Sequence, residues 1–269
     1  MPPIAIGINP LNFKLNYMQL HQADFPFYTF ANLDKCGVRH FVTSCGPDAN
    51  VNLRSANGAD CRRRLANSVG FDIEKLVTGE QTHSLNVAVV TDADAGRGNL
   101  YIDSRIPCTD ALITNRPDIP LMVLTADCVP VLLYDAVNRA VAAIHAGWRG
   151  TANGIVGLTV EKMNRTFGTN PENLIAAIGP CIRPCCFEVG DDVAEHFSRW
   201  PETIIRRAEW PKPHIDLVLA NRLQLEQSGI LPQNIESSGE CTKCGPRQFF
   251  SHRRNQTLGR IGTGIVIDR

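Results

Sequence analysis

The segment Pro130-Val-Leu-Leu-Tyr134, Asp135-Ala-Val-Asn-Arg139, Ala140-Val-Ala-Ala-Ile-His145 is two apolar runs on either side of a polar five-residue connection. Short apolar runs containing Val, Leu and Ile read as buried strands, and the link between them reads as a hairpin turn. A turn centred near Val137 sets His145 opposite Pro130. Cys128 then lies one diagonal step away, at roughly 7 Å between Cα atoms. A single hairpin therefore brings a thiol and an imidazole together at its open end.

Similar stretches extend in both directions. Phe25–Phe30, Val38–Thr43, Lys75–Thr78, Asn86–Val90, Ala111–Thr114 and Leu121–Thr125 precede the hairpin, and Leu174–Ile178, Gln248–Ser251 and Gly264–Ile267 follow it. Helical spacing is expected over Ala59–Ser68, Thr151–Phe167, Asp191–Phe197 and Asp216–Ser228. The clearest is Thr151–Phe167, with Ile155, Leu158, Met163 and Phe167 on one face and Gly168 as a stop. No linker or fixed-period repeat interrupts the alternation. Many strands with few helices predict one α/β domain over residues 1–269, built on mixed sheets with helices outside.

Composition narrows the function. The chain is 43% hydrophobic and 20% charged, which places it among soluble globular proteins. Its 27 basic and 27 acidic side chains cancel, so it lacks the basic excess that binding to nucleic acid or an anionic membrane needs. No apolar run reaches ~18 residues, so no transmembrane helix is expected. Met1–Pro10 has no basic start and does not read as a signal peptide. The expectation is a cytoplasmic protein whose ten cysteines stay as thiols or metal ligands. Charge is uneven: Phe71 to Ala140 holds ten acids and five bases, whereas Glu240 to Arg269 holds six bases and two acids. Such an arrangement suits a small anion beside an acidic, metal-suited centre.

Three segments put reactive residues at strand ends: Gly79-Glu-Gln-Thr-His83-Ser84, Thr125-Ala-Asp-Cys128-Val-Pro130 and His145-Ala-Gly-Trp-Arg-Gly150. Cys128 and His145 suit either a shared metal or a nucleophile–base pair. A catalytic zinc takes three protein ligands and keeps an open position, and His83 is the best third candidate. Gly147 and Gly150 bracket Arg149 just before a helix. This reads either as an anion pocket or as a plain turn capped by Thr151. Cys241-Thr-Lys-Cys244 and the cluster Cys181, Cys185 and Cys186 offer a structural zinc site or redox pair. A single CxxC is a weak signal, and adjacent cysteines suit one ion poorly.

Glu80-Gln-Thr-His83, Thr125-Ala-Asp-Cys128-Val-Pro-Val-Leu, Ala143-Ile-His145-Ala-Gly-Trp-Arg-Gly, Ile178-Gly-Pro-Cys-Ile, Cys186-Phe-Glu-Val-Gly and Phe249-Phe-Ser-His-Arg-Arg254 resemble one family. It is the bacterial polyphenol oxidase, or laccase-domain, family of purine nucleoside phosphorylases with adenosine deaminase activity. The likeness runs from about Gly37 to Ile267 and leaves residues 1–20 outside. It implies a four-layer α/β/β/α domain, monomeric or homodimeric. The metal ligands would be His83, Cys128 and His145, holding zinc; copper lies behind the older name. The implied reactions are phosphorolysis of adenosine, inosine, guanosine and methylthioadenosine to base and pentose 1-phosphate, and deamination of adenosine. Cys128, Asp127 and Arg149 would be catalytic, and Arg62, Gln81, Asp110 and Arg253 would bind purine nucleoside and phosphate. His252 departs from the family, which commonly has Tyr there. Two other readings stay open: a cysteine hydrolase using Cys128 and His145, and a copper-dependent polyphenol oxidase. The second conflicts with only seven histidines in the chain.

Overall fold

The structure, a computed structural model, describes residues 18–46, 48–246, 249–256 and 258–269. In chain order the strands are β1 (Gln19–His21), β2 (Phe27–Thr29), β3 (Arg39–Thr43), β4 (Val77–Thr78), β5 (Val87–Val89), β6 (Ala111–Thr114), β7 (Leu121–Thr125), β8 (Val129–Asp135), β9 (Ala140–Ala146), β10 (Leu174–Ile178), β11 (Ile204–Ile205), β12 (His214–Ile215), β13 (Ile235–Ser237) and β14 (Ile261–Val266). The helices are α1 (Ala31–Asp34), α2 (Gly58–Val69), α3 (Trp148–Ala152), α4 (Ile155–Phe167), α5 (Asp191–Glu195), α6 (Leu217–Gln227) and α7 (His252–Asn255).

Two six-stranded sheets form, in the orders β1-β2-β3-β14-β7-β4 and β13-β10-β8-β9-β6-β5. The pairs β4–β7, β5–β6 and β10–β13 are parallel and the other pairs are antiparallel, so both sheets are mixed. Strand residues alternate between two apolar layers. Leu112, Leu132, Val141, Ala143 and Ala177 face inward and meet Val42, Leu121, Val123, Ile261 and Ile265 of the other sheet. Their neighbours Ala111, Ile113, Val131, Leu133, Ala142 and Ile144 face outward onto Ile155, Val156, Val160 and Met163 of α4 and Ala220 and Leu225 of α6. On the far side, Phe41, Met122 and Val266 pack on Cys61, Leu65 and Ala66 of α2. Burial on both faces explains why these strands read as unbroken apolar runs. The result is the four-layer α/β/β/α stack that the resemblance implies.

The hairpin has the register read from sequence, with Pro130 opposite His145 and Val129 opposite Ala146. Asp135 Oδ1 accepts the N–H groups of Val137 and Asn138 at 2.9 and 3.2 Å and holds the turn. Strand β14 starts three residues earlier than expected because Gly262 and Gly264 hid it. A Cβ on Gly264 would lie 2.6 Å from Leu121 O and 2.4 Å from the Phe41 ring, so close strand packing requires glycine there.

The expected Thr151–Phe167 helix is two helices. Asn153 and Gly154 separate α3 from α4, and Gly154 has φ 84, a left-handed value that favours glycine. Thr151 is not a cap. It lies buried inside α3, whose preceding residue in extended geometry is Gly147. The strand expected at Gln248–Ser251 does not form. Gln248 lies outside the described residues, and Phe249–Ser251 has no strand pairing. Phe249 is instead a fully buried plug between the sheets. Residues 1–17 lie outside the described residues, and with them most of the segment beyond the family likeness.

Candidate metal centre and cavity

Cys128, just before β8, and Gly147, just after β9, flank the terminal Val129–Ala146 pair of the hairpin, and His145 sits one residue inside it. Asp110, at the start of β6, accepts from His145 Nδ1 at 2.7 Å. This bond fixes the ring tautomer and leaves Nε2 for the site. The same carboxylate accepts the N–H groups of Thr82, His83 and Ser84 at 3.2, 3.1 and 2.7 Å, and Ser84 Oγ at 2.7 Å. Burial opposes its charge, yet the His145 and Ser84 bonds hold its pKa below the usual carboxylate value. One buried carboxylate thus orients two histidines, one from strand β9 and one from the segment between β4 and β5.

His83 has φ 59, a left-handed geometry that the Asp110 clamp holds in place. A Cβ on Gly147 would stand 2.4 Å from His83 Nδ1 and 3.3 Å from Cys128 Sγ. Only glycine lets this imidazole close on the hairpin. The donor atoms of His83, Cys128 and His145 all lie within 4.8 Å of one another. Two imidazoles and a thiolate, with a cavity on the open side, fit a zinc ion bound by three protein ligands. In the bare protein, burial works against a charged His145, but Cys128 and Asp110 outweigh it and push its pKa up to about 9. Metal uptake must therefore displace that proton.

Asp127 also has a left-handed backbone, at φ 91. Three segments hold it. Its Oδ1 accepts from Thr242 Oγ1 and its Oδ2 from the Arg253 N–H, both at 2.6 Å, while its carbonyl accepts from the Ile182 N–H at 2.9 Å. Gln81 pairs with β7 through its amide: Nε2 donates to Leu124 O at 2.7 Å and Oε1 accepts from Leu124 N at 2.8 Å. A cavity of about 410 Å³ opens over the metal ligands, with Asp127, Gln81, Phe187, His252, Arg253 and Arg260 on its walls. Small-molecule sites occupy about 300–1,000 Å³.

The expected site residues divide. His83, Cys128, His145, Asp127, Gln81 and Arg253 all line the cavity. Arg62 does not. It is 1% exposed on the buried face of α2, donating to Val51 O at 2.7 Å, Gly98 O at 2.6 Å and Asn99 O at 2.7 Å. Burial lowers its pKa to about 9, and its place is structural. Asp110 lies behind the ligands, with both oxygens occupied, rather than facing a substrate. Arg149 is exposed and stacks on Trp148 at 4.2 Å, outside the cavity wall. The helix after it, α3, is one turn of five residues. Burial and His145 lower the His83 pKa, and Arg149 is close enough to lower it further, while Arg253 and Arg260 are the arginines on the cavity wall. Arg260, Phe187 and Ile182 were missed; the basic C-terminal stretch was the only signal for Arg260. Cys185, Cys186, Cys241 and Cys244 also converge, their sulfurs within 4.8 Å of one another. The zinc or redox grouping read from sequence thus holds for four of its five cysteines, adjacent Cys185 and Cys186 included, and Cys181 is not in the group.

Residues 35–268 match the family described as multi-copper polyphenol oxidoreductase laccase. The chain belongs to this family. It is 42% identical over 249 residues to a purine nucleoside phosphorylase of Bacteroides thetaiotaomicron, covering 86% of this chain and 92% of that one. It is 40% identical over 211 residues to adenosine deaminase RL5 of an unknown prokaryotic organism, covering 77% and 80%. The crystal structure of YlmD from Geobacillus stearothermophilus superposes with a TM-score of 0.83 at 31% identity, covering 94% of this chain and 99% of that one. Despite the family's description, the described residues contain one histidine-bearing ligand group, not several. Among them no helix is long and apolar enough to cross a membrane.

Proposed function

We propose that this chain is a zinc-dependent, cytoplasmic purine nucleoside phosphorylase that also deaminates adenosine. Its nucleosides would be adenosine, inosine, guanosine and methylthioadenosine. The observation that carries the reading is a three-ligand nitrogen–sulfur centre with an open side, facing a nucleoside-sized cavity walled by arginines. The activities named for its relatives support it. In phosphorolysis the C1′–N9 bond breaks, a C1′–O bond to hydrogen phosphate forms, and the proton that the phosphate gives up passes to a ring nitrogen of the departing purine. Arg253 and Arg260 hold the phosphate by charge-assisted bonds. Arg253 also lies 5.4 Å over the Phe187 ring, so both flank one wall. Asp127 is engaged through both oxygens and anchors Arg253 rather than donating a proton. In deamination, water adds at C6 and ammonia leaves. His83, Cys128 and His145 would hold a zinc ion, which would supply Lewis acidity to the attacking water.

One observation favours a second reading. Asp110, His145 and Cys128 form the acid–base–thiol order of a cysteine hydrolase. His83, packed against both, argues for the metal. Iodoacetamide separates the two: a free nucleophile reacts at Cys128 without chelation, whereas a ligated thiolate reacts only after zinc is removed. The main test is chromatography of products from adenosine. Adenine formed only with phosphate reports phosphorolysis, and inosine reports deamination. Neither product in zinc-loaded protein would overturn the proposal.

A further inference from the structure

A second group of metal-competent side chains lies apart from the histidine centre. Cys185 and Cys186 sit in the turn after Arg183, and Cys241 and Cys244 begin and end the loop after β13. Their four sulfurs lie within 4.8 Å of one another, with Cys185 and Cys244 at 3.5 Å. Zn–S bonds of about 2.3 Å give a tetrahedral edge of about 3.8 Å. Small side-chain rotations reach that shape.

The surrounding backbone favours a cation over a chance gathering of thiols. The loop is a tight knuckle: the Gly245 N–H donates to Cys241 O at 2.8 Å, and a Cβ on Gly245 would lie 2.5 Å from that oxygen. The N–H groups of Cys186 and Phe187 both donate to Arg183 O at 2.9 Å. In that turn the adjacent cysteines converge on one side, which an extended chain forbids.

We propose that Cys185, Cys186, Cys241 and Cys244 bind a structural zinc ion, distinct from the ion at His83, Cys128 and His145. Four protein ligands leave no open position, so the ion acts as a clasp. It joins two segments that shape the cavity. One leads directly into Phe187 on the cavity wall. The other carries Thr242, whose hydroxyl holds Asp127 at 2.6 Å, and accepts from Arg254 through Thr242 O at 3.3 Å.

The test is zinc content per chain, by elemental mass spectrometry, in wild type, Cys128→Ala and the double variant Cys241→Ser/Cys244→Ser. About two ions are expected in wild type, and about one in each variant. Zinc in the double variant equal to wild type, or none in Cys128→Ala, overturns the clasp. One ion in wild type that survives in Cys128→Ala but vanishes in the double variant supports the clasp and counts against the histidine centre, so the two claims fail separately. Should the double variant not fold, alkylation of native wild type decides. Cys185 and Cys244 are exposed, yet the clasp predicts that both resist iodoacetamide until a chelator is added. Rapid modification without chelator, or a Cys185–Cys244 disulfide in freshly purified protein, overturns it.

Discussion

Replacing Asp110 by Asn keeps size and shape but removes the charge that orders the metal centre. Asp110 Oδ1 takes His83 N and His145 Nδ1, and Oδ2 takes Thr82 N, Ser84 N and Ser84 Oγ. An asparagine has one acceptor oxygen. That oxygen stays with the three donors at Oδ2, and the amide NH2 turns toward His83 N–H and His145 Nδ1. His145 Nδ1 must then accept, so its proton moves to Nε2, the nitrogen that faces the metal. The variant loses one buried charge-assisted bond, about 1.5–3 kcal/mol, and presents a blocked ligand. At about 1.4 kcal/mol per factor of ten, the loss in zinc affinity is about 10–150-fold, within reach of the about 10–100-fold seen for such outer partners. Competition against a chromophoric chelator measures it, with a thermal melt to show that the fold persists. Zinc affinity within twofold of wild type in folded Asp110→Asn would refute the orienting role.

Other perturbations follow from the same geometry. Gly147→Ala puts a methyl group where His83 must sit, and zinc affinity should fall at least tenfold with little change in melting temperature; unchanged affinity would contradict the close approach. Arg253→Met and Arg260→Met should each raise the phosphate KM about tenfold or more, as lost charge-assisted bonds, with a smaller effect on the nucleoside KM. Equal effects on both constants would remove the arginines from the phosphate subsite. His40 is buried as a neutral ring, accepting from Phe30 N at 2.7 Å and donating to Val38 O at 3.0 Å. Burial lowers its pKa, with Asp34 pulling it up and His21 pushing it down. Its stabilisation is therefore complete above the unfolded value of about 6.5 and fades as pH falls through the folded value. Urea unfolding of His40→Gln should show a shallower loss between pH 7 and acid conditions, and an identical slope would exclude His40.

The hairpin was legible because both its faces are buried, so hydrophobicity alone marked β8 and β9 and their register followed from the turn. β13 was not. Its Ile235-Glu236-Ser237 run carries no apolar pattern and pairs only because β10 offers it a parallel edge. The metal ligands lay at strand ends, where sequence points. Arg62 misled because residue type says nothing of depth; the carbonyls that bury it belong to Val51, Gly98 and Asn99, distant in the chain. Asp110 was seen as a site residue, but its role under two histidines needed the β4–β5 loop folded over it. The adjacent cysteines were discounted because chain neighbours suit one ion poorly, whereas a turn brings Cys185 and Cys186 together with Cys241 and Cys244.

The central claim is tested most directly by returning zinc to protein stripped at the histidine centre while following adenine release from adenosine and phosphate. The account predicts that phosphorolysis returns in proportion to zinc bound at His83, Cys128 and His145, and that Cys128→Ala recovers none. Full phosphorolysis by the stripped protein, or by folded Cys128→Ala, would contradict it.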